Sequence, residues 1–127
     1  APAGSSVAGP VTVDVTLVWE VLSRTETGLS AMVHLTLPDG TGVADGDGAP
    51  IGGSYPTTLW RTGEVVLDTH QVALPTGELP EGDLEVRVGW YDWQTGERLP
   101  VTAGPDALVR ENGTAVVAGL VRFATEN

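Results

Sequence analysis

The stretch VTVDVTLVWEV, residues 11 to 21, constrains this chain more than any other. Val11, Val13, Val15, Leu17, Trp19 and Val21 alternate with Thr12, Asp14, Thr16 and Glu20. A helix repeats every ~3.6 residues and would scatter those apolar side chains around its axis. A strand sends alternate side chains to opposite faces. The stretch therefore predicts a long strand with one buried face. Alone, it would leave backbone N–H and C=O groups unpaired, so partner strands must follow in the same chain.

They do. Leu29, Ala31, Val33, Leu35 and Leu37 form a second alternating run, with Ser30, His34 and Thr36 on its other side. Glu64 to Leu74 reads as a third strand. Leu84, Val86, Val88 and Trp90 alternate with Glu85, Arg87, Gly89 and Tyr91 in a fourth. A short strand is expected from Leu99 to Thr102, and Asn112-Gly113 signals a hairpin between the last two. Turn sequences separate these runs: SRTETG, where Gly28 is free to take positive φ, then PDGTG, Thr62-Gly63 and QTGE. VADGDGAPIGGS reads as irregular, YPTTLWRTG as extended and PTGELPEGD as a loop. Turn signals every ~8–12 residues predict an all-β fold. The expected form is an antiparallel β-sandwich of seven to eight strands, immunoglobulin-like, with a jelly roll as the alternative topology.

The length of 127 residues leaves room for one domain. A flexible, Pro/Gly-rich segment, APAGSSVAGP, is expected to be a linker over residues 1–10, with a single sandwich over 11–127. It points to a neighbouring domain on the N-terminal side. With Cys at 0, disulfides, thiolate metal sites and cysteine nucleophiles are all excluded. Seventeen acidic residues face six basic ones, all arginine, for a net charge of -11. That charge repels phosphate backbones and anionic membrane surfaces, so neither nucleic acid nor membrane is an expected partner. No apolar run approaches the ~18 residues of a transmembrane helix.

The order YPTTLWRTGEVVLD followed by VALPTGELPEGDLEVRVGWYDWQTGERLPV carries a family resemblance. It is similar to the β-sandwich domain at the extracytoplasmic C-terminus of bacterial membrane glycosyltransferase-like proteins and related surface proteins. The markers are Tyr55-Pro56-Thr57, Trp60, Gly63-Glu64-Val65-Val66, Asp68, Leu74-Pro75, Pro80, Gly82, Gly89, Tyr91-Asp92 and Thr95-Gly96-Glu97-Arg98-Leu99. Two positions depart from that pattern: Leu84 stands where Tyr is usual, and Trp93 where Pro is frequent. The resemblance implies a non-catalytic accessory or interaction module outside the cytoplasm, and it transfers no catalytic residue.

Candidate sites are few. Period two places Trp90 in the core, and Trp19 and Trp60 read as core or corner anchors. Tyr91 is expected outward, beside a bare patch at Gly89, and Trp93 sits in the turn. Tyr91 and Trp93 are thus the candidate platform for stacking a sugar ring, the alternative function being a carbohydrate-binding module for a polysaccharide. Asp39, Asp45 and Asp47 are candidate oxygen ligands for calcium. The EF-hand template fails, since the position wanting Gly is Pro50 and the closing Glu is Pro56. His34 and His70 are each expected opposite the main apolar run, and two histidines alone do not make a zinc site. No GxSxG elbow or phosphate loop is present, so no enzyme activity is expected.

Overall fold

The computed structural model describes residues 6–7, 11–74, 77–78, 82–102 and 108–122. The fold is all-β, with antiparallel pairing throughout. The strands are β1 (Ser6–Val7), β2 (Val11–Glu20), β3 (Leu29–Thr36), β4 (Gly42–Asp45), β5 (Val65–Leu74), β6 (Gly77–Glu78), β7 (Asp83–Asp92), β8 (Val109–Arg110) and β9 (Ala115–Arg122). β2 and β5 form a two-stranded ribbon, and β4-β3-β7-β9-β8 form a five-stranded sheet. β1 pairs with β6, so the segment expected to be only a linker contributes a short strand.

The ribbon is in register from Val11 opposite Leu74 to Glu20 opposite Val65. Leu17, Val72 and Leu74 of the ribbon meet Val33 and Leu35 of β3 and Leu84, Val86 and Val88 of β7 in one apolar cluster. Leu35 and Leu84 are fully buried there. Truncating either to alanine would cost ~2–5 kcal/mol by lost transfer energy and a cavity. A second cluster at the end of the ribbon joins Val21, Trp60 and Val66 with Trp19, Tyr55 and Trp90. The anchors expected from the sequence are therefore in place. Trp90 lies between two of them, its ring centroid 4.5 Å from Trp19 and 5.7 Å from Trp60.

Several local expectations change. The region from residue 43 supplies β4, an edge strand with a register shift between Leu35 and Thr36 of its partner. The stretch YPTTLWRTG contains a 3-10 turn, Thr57–Leu59. Residues 99–102 form no strand, and their neighbour Arg98 makes only an isolated bridge to Tyr91. The hairpin signal holds, but its turn is wider than the two-residue form: Glu111, Asn112 and Gly113 all have positive φ, and Arg110 pairs with Ala115.

Gly28 is not at positive φ. It is needed for another reason. A Cβ at this position would lie 2.8 Å from the Trp93 indole nitrogen, so the ring lies directly on the bare backbone.

Candidate functional site

The ribbon departs from the usual pattern of faces at a few positions. Along β5, Val66, Asp68, His70, Val72 and Leu74 point inward, and Val65, Leu67, Thr69, Gln71 and Ala73 point out. Thus His70 is buried on the apolar side, not opposite it as expected, and Asp68 beside it is fully buried. Asp68 Oδ2 lies 2.6 Å from His70 Nε2 and accepts the Trp19 indole N–H at 3.2 Å. Its Oδ1 accepts the Ile51 backbone N–H at 2.9 Å. That last bond holds Ile51 at φ 53, in the left-handed region.

His70 Nδ1 lies 2.9 Å from the Gly46 carbonyl oxygen. A carbonyl can only accept, so Nδ1 carries a proton. The other ring nitrogen faces the Asp68 carboxylate oxygen. Both ring nitrogens are engaged, which leaves His70 no nitrogen for a nucleophile or a metal.

With two polar groups inside, apolar ones stand outside. Val18 is 65% exposed and sits opposite Leu67, which is 64% exposed. Val65 (61%) lies on the same face two residues before Leu67, opposite the exposed Glu20, and Leu22 (80%) is exposed just beyond the end of β2. Thr16 and Thr69 continue that face along the ribbon, their hydroxyl oxygens 2.9 Å apart.

The far face of the five-stranded sheet is polar, and most of it is covered. Glu85 and Arg87 of β7, expected to face solvent, are buried. The turn after β8 folds over them. A Cβ at Gly89 would collide with the Thr114 carbonyl oxygen, so the glycine is the seat of that turn and not a bare patch. Arg87 Nε donates to Glu85 Oε1 at 3.0 Å, and Arg110 Nε donates to the same oxygen at 3.1 Å. The Arg110 hydrogen bond, with help from Arg87, holds the Glu85 carboxyl below its usual pKa against the opposing effect of burial.

His34 ties two segments to this face. Its Nε2 lies 3.4 Å from Asp47 Oδ1 and its Nδ1 3.2 Å from Glu111 Oε2. The Asp47 hydrogen bond raises the His34 pKa above 6.5 against burial, and the charges of Asp47 and Glu111 add to it. Burial pushes Glu111 up, but His34 and Arg98 together outweigh it and lower its pKa.

Folded His34 therefore holds its proton more tightly than the unfolded chain does. The resulting stability is complete below pH 6.5 and is lost as the pH climbs through the raised value. The stability advantage of the wild type over His34→Gln is expected to shrink from mildly acidic to mildly alkaline pH. Urea unfolding across that range measures it, and a constant difference would contradict the linkage.

The expected site residues are placed as follows. Tyr91 is half-buried in β7, bridged to Arg98, while Trp93 is 61% exposed in the following turn and packs on Gly28. No ring contact joins the two among the described residues. Asp39 Oδ1 accepts the Thr41 N–H at 2.8 Å within its own turn. Asp45 is exposed on β4, and Asp47 accepts the Val33 N–H at 2.8 Å. Asp39 and Asp47 thus each accept from a different backbone N–H. No group of three potential metal ligands gathers among the described residues.

Val18 and Leu67 escaped the sequence reading, which met Asp68 only as a marker of the family resemblance and placed His70 on the wrong face. Counting back by twos from Leu74 and Val72 would have placed Asp68 and His70 inside.

No described helix is long and apolar enough to cross a membrane. No family model matches this chain, and no similar curated protein or solved structure was found.

Proposed function

We propose that this chain is a non-catalytic interaction module that docks on a neighbouring domain of its parent protein through the outer face of the β2–β5 ribbon. The observation that carries this reading is the exposed cross-strand pair Val18–Leu67, with Val65 on the same face and Leu22 exposed just beyond the end of β2. Contiguous exposed apolar surface costs solubility and marks contact sites. Asp68 and His70 take inward positions of β5, and strand alternation then turns Leu67 between Val66 and Asp68 outward.

An immunoglobulin-like sandwich is the topology that best suits this module. Support comes from the strand order. The chain passes from β2 to the β3–β4 hairpin in the other sheet, returns to pair β5 with β2, and crosses again to β7 and β9. The B–E and C′–C–F–G arrangement of such folds has this order, with β8 as an added edge strand beyond β9. The family resemblance supports an extracytoplasmic, bacterial setting.

The absence of cysteine supplies a direct test. Val18→Cys introduces a sole thiol at the centre of the proposed contact. It is expected to react quickly with a maleimide in the isolated chain and at least about tenfold more slowly within the longer parent protein, where the contact desolvates it. Equal rates in the two would refute docking through this face.

A further inference from the structure

At the edge of the five-stranded sheet, an open cavity of about 500 Å³ lies between the β3–β4 turn and the segment bearing Glu111. Its lining includes His34, Thr36, Asp45, Arg87 and Glu111. The volume is within the range of small-ligand sites.

Two groups in its wall are under-used. Thr36 is 4% exposed, and its hydroxyl has no hydrogen-bond partner among the described residues. Burying an unpaired hydroxyl costs about 1–3 kcal/mol, so its retention calls for a partner. Arg87 is 5% exposed. Its Nε and Nη2 face Glu85, but Nη1 has only Glu111 Oε2 at 3.7 Å, beyond hydrogen-bond length. The register shift of β3 against β4 falls between Leu35 and Thr36, at the same wall. Such irregularities re-aim side chains beside binding sites. One water could satisfy one of these groups, but the cavity holds far more than one.

The charges select the ligand. Glu111 lies 3.7 Å from Arg87 Nη1, Asp45 also lines the cavity, and the whole chain is at -11, so an anion is repelled. Glu111 is already paired with His34 and Arg98, which leaves a cation little to gain. A neutral molecule with adjacent hydroxyls suits both needs. One hydroxyl oxygen accepts from Arg87 Nη1–H and its neighbour donates to the Glu111 carboxylate, while the Thr36 hydroxyl, enclosed as the side chain stands, meets the ligand by rotating about χ1 toward the cavity.

We infer that this cavity binds a small neutral polyhydroxylated molecule, the vicinal diol of a sugar or cyclitol, through Thr36, Arg87 and Glu111. The site is separate from the docking ribbon and does not depend on it.

The test is a ¹H–¹⁵N NMR titration of the full chain with methyl glycosides of glucose, mannose and galactose and with myo-inositol, at millimolar concentrations, with acetate and phosphate as controls. At least one polyol is expected to give saturable shifts at the Thr36 and 41–45 amides and at Arg87 Nε–H. Thr36→Val should weaken that binding about fivefold to tenfold, the size of one hydrogen bond. It should leave the melting temperature unchanged or higher, because it removes only an unpaired hydroxyl. Four outcomes would overturn the inference: no saturable shift with any polyol, shifts centred on Trp93 instead, equal binding by Thr36→Val, or binding of the anions alone.

Discussion

Asp68→Ala should be the most damaging single substitution in the ribbon, costing about 3–5 kcal/mol of unfolding free energy. The carboxylate is fully buried and serves three donors: His70, the Trp19 indole and the Ile51 backbone. Its removal leaves His70 Nε2 and the Trp19 indole N–H without their partner in the interior. It also frees Ile51 from the bond that holds its left-handed backbone. Chemical denaturation of the variant measures the loss. The sharper readout is the double-mutant cycle with His70→Ala. Once His70 is gone, the Asp68 substitution no longer deprives that ring of its partner. The pair should therefore cost less than the sum of the singles by about 1–3 kcal/mol. Additive costs would mean that the two side chains do not act as one unit.

Gly89→Ala is expected to cost about 3 kcal/mol, the upper part of the range for overpacking. The obstacle is a backbone carbonyl, that of Thr114, with the Met32 Cε methyl 2.9 Å from the same point. A side chain could rotate away, but a turn cannot yield without moving Glu111 off His34 and Arg98. The variant should thus also lose part of the pH dependence assigned to His34. Gly42→Ala makes a suitable control: a Cβ there meets nothing within 4 Å, and its φ is not positive. A melting temperature for Gly89→Ala equal to that control would show that the turn does not seat on β7 as described.

Most strands were legible because alternation is a local property. VTVDVTLVWEV, the Leu29 run and the Leu84 run became β2, β3 and β7 nearly residue for residue. β4 was not legible: a short edge strand pairs on one side only and needs no apolar alternation. Gly28 and Gly89 were read as a flexible joint and a bare patch. Each instead receives a group from a distant part of the chain, the Trp93 ring in one case and the Thr114 carbonyl in the other. No local signal announces such an approach.

The sequence by itself determined that this protein is built of strands, where most of them run, and that cysteine chemistry is closed to it. Only the tertiary structure decided what each face meets. Alternation says that Glu85 and Arg87 lie opposite Leu84 and Val86. It does not say that a later turn will fold over them and force them into an ion-paired network. Nor does it say that Asp68 and His70 will be the inner face of β5 while Val65 and Leu67 are the outer one. The physical reason is that period two fixes relative side only. Which side is buried depends on packing between segments far apart in the chain, and a buried polar pair is tolerated only where those segments bring its partners together.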